Sequence, residues 1–97
     1  MNKHETLRIK ISAYCTKHYA TEETPIKCNK PNQRLLTIGH DKATGLSELQ
    51  LPRITEIFHD NECIVWVRLE GSEEPIEVDG LTTSDLEKII NWLEEYC

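Results

Sequence analysis

Aromatic residues and long apolar runs are both scarce in this chain. Phenylalanine, tryptophan and tyrosine together make up 6% of it, Phe58 is the single phenylalanine, and methionine occurs once. The longest uninterrupted apolar stretch runs only from Cys63 to Val67, far short of the roughly 20 residues that a membrane-spanning helix needs. No membrane segment is therefore expected. The first residues lack the apolar core and small-residue cleavage site of a secretory signal, so the expected location is the cytoplasm. The four cysteines, Cys15, Cys28, Cys63 and Cys97, include no CxxC pair, and in a reducing compartment that spacing predicts free thiols. No internal repeat and no low-complexity tract is present.

What remains is a chain of 97 residues whose Leu, Ile, Val and Phe number 24. That fraction lies above the roughly 20% below which charged chains stay disordered, so residues 1–97 read as one small folded domain with few spare core positions. The net charge is −6, and it is unevenly spread. Residues 1–42 carry eight Lys or Arg against four acids, whereas residues 43–97 carry three against thirteen. If the halves pack together the asymmetry is internal complementarity; if they face apart, the first half suits an anion and the second repels one.

The clearest element is a C-terminal helix over Thr83–Tyr96. Thr82 suits its N-cap, Leu81 and Leu86 occupy the positions of a hydrophobic staple, and Leu86, Ile89, Ile90, Leu93 and Tyr96 share one face. Upstream, Arg53–His59 and Cys63–Leu69 are β-rich runs around Asp60-Asn61-Glu62, and they predict a hairpin. A two-residue loop groups Ile54, Glu56 and Phe58 with Cys63, Val65, Val67 and Leu69 as the core face, leaving Glu56 in need of a cationic partner, a water-filled edge or a register shift; a three-residue loop regroups the faces. Pro75–Asp79 alternates as a strand with Ile76 and Val78 inward. Arg34–Gly39 and Leu46–Leu51 read as a further hairpin, with Pro52 at an edge or corner. Near the N-terminus, Leu7, Ile9, Ile11 and Ala13 alternate with polar residues and favour a strand over Thr6–Tyr14, although Leu7, Ile11, Tyr14, Cys15 and His18 also share a helical face.

The expected fold is thus α+β: an antiparallel sheet of about five strands, with a strongly curled or barrel-like form as its variant, and one C-terminal helix packed on it. A curled sheet followed by a terminal helix bearing Trp92 is similar in outline to pleckstrin-homology-like domains. Trp92 and the element order alone carry that likeness, and no site residue follows from it.

Five constellations bear on function. Cys15, His18, Cys28 and His40 are metal-ligand types, but a structural zinc usually takes two short-spaced pairs and only Cys15-x2-His18 is one. His59 and Cys63, with Asp60 and Asn61 between them, contain the residue types of a nucleophile, base and orienting group, which a hairpin tip also explains. In Gly39–Gly45 the Lys42 precedes the last glycine, so a Walker-type phosphate loop is not formed. Lys10, Lys17, Lys27, Lys30 and Arg34, interleaved with His18, Tyr14 and Tyr19, suit an anion such as a nucleic-acid backbone. Ile57, Trp66 and Trp92 are candidate anchors for a protein contact, with Glu70, Glu73, Glu74, Glu77 and Asp79 as an acidic edge.

Two functional readings follow. The leading one is a non-enzymatic protein-interaction module, binding a protein partner or a second copy of itself. The alternative is an accessory nucleic-acid-binding protein that uses residues 10–34. No catalytic residue, metal or cofactor is expected in either.

Overall fold

A computed structural model describes residues 2–28, 35–39 and 50–96 of the chain. Among these, α1 spans Lys3–Lys17, β1 Ile26–Lys27, β2 Ile54–His59, β3 Val65–Leu69, β4 Ile76–Glu77 and α2 Thr83–Tyr96, with a 3₁₀ turn over Val78–Gly80 between β4 and α2. The sheet is antiparallel and open, in the order β1-β2-β3-β4. No helix among the described residues is long and apolar enough to cross a membrane.

This corrects the expected architecture. Among the described residues the sheet has four strands and is neither closed nor curled, and the segment expected as an N-terminal strand is a helix. The outline likeness to pleckstrin-homology-like domains falls with it. The reason lies in α2. Its buried residues Leu86, Ile89, Ile90, Trp92 and Leu93 spread over roughly 160° of the helix circumference at 100° per residue, too wide an arc for one sheet face to cover. The chain supplies the missing cover by coiling residues 3–17, which brings Leu7, Ile11 and Cys15 onto one stripe and buries them beside α2 and the sheet. Asn2 starts that helix as N-cap, its side chain accepting from the Glu5 amide at 2.8 Å.

The C-terminal helix begins as its sequence indicates. The Thr82 hydroxyl accepts from the Asp85 amide at 3.2 Å, and both staple residues, Leu81 and Leu86, are buried. Inside the first turn of α2, Asp85 is buried and accepts from the Gly39 amide at 2.9 Å. Lys88 donates to the buried Thr37 hydroxyl at 2.6 Å. These two bonds tie residues 37–39 to α2, while the backbone of Leu36 and Ile38 pairs with Ile54 and Pro52. The second strand of the expected 34–51 hairpin lies almost wholly outside the described residues.

The central hairpin forms with Ile54, Val65 and Val67 in the core as expected, but in β2 Ile57 turns inward in place of Glu56. Asp60 and Ile64 close a three-residue loop, Asn61–Cys63, so that His59 pairs with Val65, Phe58 with Trp66 and Ile57 with Val67. Ile57, Val65 and Val67 therefore share the core face, and Glu56 and Phe58 lie opposite with Trp66 and Arg68, although Phe58 is itself buried there. Ile54 and Ile57 are an odd number of residues apart, yet neither exposes any surface. A register shift between Ile54 and Glu56 reconciles the two, since a bulge returns the chain to the same face after an extra residue. On the outer face Arg68 donates to Glu56 at 3.0 Å and lies 5.6 Å from the centroid of the Phe58 ring. Glu56 thus has the cation its sequence position called for. At the far edge the strand is shorter than expected, Ile76–Glu77 only: Val78 is buried in the 3₁₀ turn, but Ile76 is exposed.

The helical reading of α1 makes an unequal prediction for its two isoleucines. Ile11 has no exposed surface and Ile9 is 45% exposed, so Ile11→Ala should cost about 2–5 kcal/mol and Ile9→Ala within about 0.5 kcal/mol. Urea unfolding measures both; equal losses would restore the strand, in which the two residues share a face.

Candidate functional site

α1 and α2 run side by side in the same direction. At their N-terminal ends Lys3 pairs with Glu87, the His4 ring is hydrogen-bonded to the Leu81 carbonyl at 2.7 Å, and Arg8 lies 3.6 Å from Asp79. The basic first half of the chain therefore meets the acidic second half across this seam, and for these residues the charge asymmetry is internal complementarity. Exposed pairs of this kind contribute about 1 kcal/mol or less each, so they orient the helix more than they stabilise it.

The C-terminal half of α1 differs. Lys10 and Lys17 have no ion pair among the described residues. With Ala13, Tyr14 and Glu94 they line a groove of about 340 Å³ between the ends of the two helices. Positions 10, 13, 14 and 17 adjoin one another on a helix, and Ile9 lies next to Ala13 one turn away. α1 thus buries Leu7, Ile11 and Cys15 on one side and shows Ile9, Ala13 and the groove to solvent on another.

Immediately after this surface the helix ends in a Schellman motif. The Ala20 amide donates to the Cys15 carbonyl at 2.9 Å and the Tyr19 amide to the Thr16 carbonyl at 3.2 Å. That geometry places Tyr19 in left-handed backbone, with φ +52°, where glycine is the usual occupant. A side chain there costs on the order of 1 kcal/mol. Packing does not offset it, because Tyr19 is 82% exposed. Folding alone does not account for a tyrosine at this position, and unrepaid backbone strain of this sort concentrates at functional positions.

The other sequence candidates are dispersed. Ile57 and Trp92 are core residues, 0% and 3% exposed, so neither is a surface anchor on the folded chain. Trp66 is half-buried on the outer sheet face and donates its indole N–H to Asp60 at 2.9 Å. Of the basic candidates, Lys10 and Lys17 share the groove. Lys27 sits opposite Glu56 in the register, on the sheet face turned away from the helices, while Lys30 and Arg34 lie outside the described residues. Of the acidic candidates, Glu77 lies on β4, an exposed edge strand among the described residues.

His59 and Cys63 do not assemble into a nucleophile pair. Cys63 is exposed at the hairpin tip with φ +63°, and the buried His59 Nδ1 has no hydrogen-bond partner. Asp60, the residue that would orient the histidine, instead accepts from the Glu62 and Ile64 amides at 2.8 and 3.0 Å and from the Trp66 indole. As for metal ligands, Cys15 and Cys28 are buried, and burial pushes both thiols up to about 12. Both are protonated at neutral pH and behave as small apolar residues. His18 is half-buried at the end of α1, and His40 lies outside the described residues. No group of three metal-ligating side chains occurs among the described residues. Of Gly39–Gly45 only Gly39 is described, and its amide is already engaged by Asp85.

The sequence named Lys10, Tyr14, Lys17 and Tyr19, but as parts of a long basic stretch. It did not single out Ile9 or Ala13, whose signal is their position off the Leu7, Ile11, Cys15 stripe. Comparison with protein-family models, curated proteins and solved structures finds no match to the chain.

Two outcomes follow from this geometry. Tyr19→Gly should raise stability by roughly 0.5–1 kcal/mol in urea unfolding, because it removes the left-handed penalty at the expense of some chain entropy; a loss would show that the ring is held by the fold. The Asp60 carboxyl is held below its ordinary range by the Trp66 indole bond and the two amides, against a smaller opposing effect of burial. A depressed folded pKa stabilises the fold fully above the unfolded value near 3.9 and loses that effect as pH falls through the folded value. Asp60→Asn should therefore destabilise the chain at pH 7, with the gap to the parent closing below about pH 4; a gap independent of pH would contradict this.

Proposed function

We propose that this chain is a non-enzymatic protein-interaction module whose contact surface is the solvent side of α1 and the tyrosine that follows it. The observation that carries the reading is Tyr19: an aromatic ring 82% exposed on a backbone conformation that disfavours it. Tyrosine is enriched among the residues that dominate binding energy, because its large amphipathic ring gains contact area for little loss of rotamer freedom. Ile9 and the groove at Ala13 and Tyr14 extend the apolar surface along the helix. The contact surface thus moves from the sheet positions Ile57 and Trp66 and the C-terminal-helix position Trp92 to the solvent side of α1. The free, buried thiols of Cys15 and Cys28 support a reducing location, the cytoplasm.

Nucleic-acid binding through residues 10–34 has weaker support. Lys10 and Lys17 lie on the helical side of the sheet and Lys27 on the other, so these three do not form the continuous basic track that a phosphate backbone follows.

The test is capture from a nuclease-treated lysate of the source cells by the immobilised chain and by an Ile9→Glu/Tyr19→Gly variant. Both substitutions fall at exposed positions, so the variant should unfold at a urea midpoint no lower than the parent. The proposal expects a discrete captured protein, or self-association seen by sedimentation, that weakens at least about tenfold in the variant. Equal capture by the two chains, or capture abolished by nuclease, would contradict it.

A further inference from the structure

We infer that the groove at the C-terminal half of α1 receives an acidic segment of a partner protein, one that places two carboxylates about 10 Å apart around an apolar residue. This rests on the interaction reading above and specifies its partner.

Lys3 and Arg8 are neutralised by Glu87 and Asp79. Lys10 and Lys17 are left without ion pairs among the described residues, although the chain as a whole has an excess of acids. They are two helical turns apart, about 10.5 Å along the axis, and the floor between them is Ala13 and Tyr14. Such a surface offers charge at its two ends and apolar contact in its middle. Lys17 also suits the last turn of a helix whatever it binds, but Lys10 is not in the last turn and gains nothing from that position. Charge complementarity therefore selects a negatively charged occupant with an apolar centre.

Glu94 narrows the class. It lines the same groove, so an evenly charged polyanion such as a nucleic-acid backbone would lay phosphate against carboxylate. A peptide can set its carboxylates at the lysines and an apolar side chain between them. A second copy of this chain is also disfavoured. A two-fold axis through the middle of α1 would bring Lys10 of one copy onto Lys17 of the other.

Zero-length carbodiimide coupling joins a lysine amine to a carboxylate only where the two already form an ion pair, so it reads this contact directly. In nuclease-treated lysate, the expected products join Lys10 or Lys17 to Asp or Glu of another protein, as mapped by mass spectrometry. Capture of that protein should fall about tenfold in Lys10→Glu/Lys17→Glu. It should change less than about twofold in Lys27→Glu and persist in Lys10→Arg/Lys17→Arg, which keeps the charge but cannot couple. The inference is overturned if coupling occurs only between copies of this chain, or if the captured material is nucleic acid. A protein that is captured through Ile9 and Tyr19 but ignores the lysine reversal overturns the acidic partner and leaves the interaction reading standing. Capture of nothing by any variant, together with a concentration-independent monomer in sedimentation, overturns both.

Discussion

The packing of Leu7, Ile11 and Cys15 against α2 and the sheet is the contact on which the rest of this structure depends. In a domain of this size one helix and one sheet face provide little buried area, and α2 alone presents more apolar surface than the four short strands can seal. Adding α1 completes the core with side chains that are almost fully removed from water. It also fixes the direction of α1, since only the parallel alignment lets Lys3 and Arg8 reach Glu87 and Asp79 while Tyr14 and Lys17 come to Glu94. The groove, the exposed isoleucine and the strained tyrosine are all consequences of that alignment.

Charge then divides the helix in two. Its first turns are satisfied within the chain, and a partner that approached there would compete with existing ion pairs. Its last turns carry lysines that have no ion pair among the described residues, beside apolar side chains, so association there forms ion pairs without breaking any of those described. Specificity for an acidic partner arises from this contrast more than from the number of basic residues, which an acidic chain would not lead one to count. Electrostatic steering of that kind acts mainly on encounter and discrimination, while the apolar floor and Tyr19 account for the lifetime of the complex.

How far the sequence revealed this depended on whether local pattern and packing agreed. α2 was legible to the residue because its cap, staple and apolar stripe all point the same way. The central hairpin was legible as two strands, with Val65 and Val67 inward, but the parity of β2 beyond Ile54 was not, because it depends on loop length and Cys63 occupies the left-handed position where a glycine would have marked a three-residue loop. The bulge that brings both Ile54 and Ile57 inward has no local signature at Thr55 either. α1 was misread for a physical reason. Ile9 and Ala13 face solvent, which blurs the helical stripe and leaves an alternation of Leu7, Ile9, Ile11 and Ala13 that mimics a strand. The residues that obscure the helix are the ones proposed to meet a partner. Its end was hidden in the same way, since Tyr19 stands where a glycine would have announced the stop. Lys10, Lys17, Tyr14 and Tyr19 were visible as a chemically suitable group, but only the helix shows which of the basic residues share a surface.

Native-state hydrogen exchange tests the central contact most directly. If α1 is part of the single core, the amides of Ile11 and Cys15 will exchange only through the same global opening as those of Val67 and Leu93, with one common free energy that falls together in denaturant. Exchange of the α1 amides within minutes, while β3 and α2 stay protected, would show a helix that is merely laid on a core complete without it, and would contradict the account.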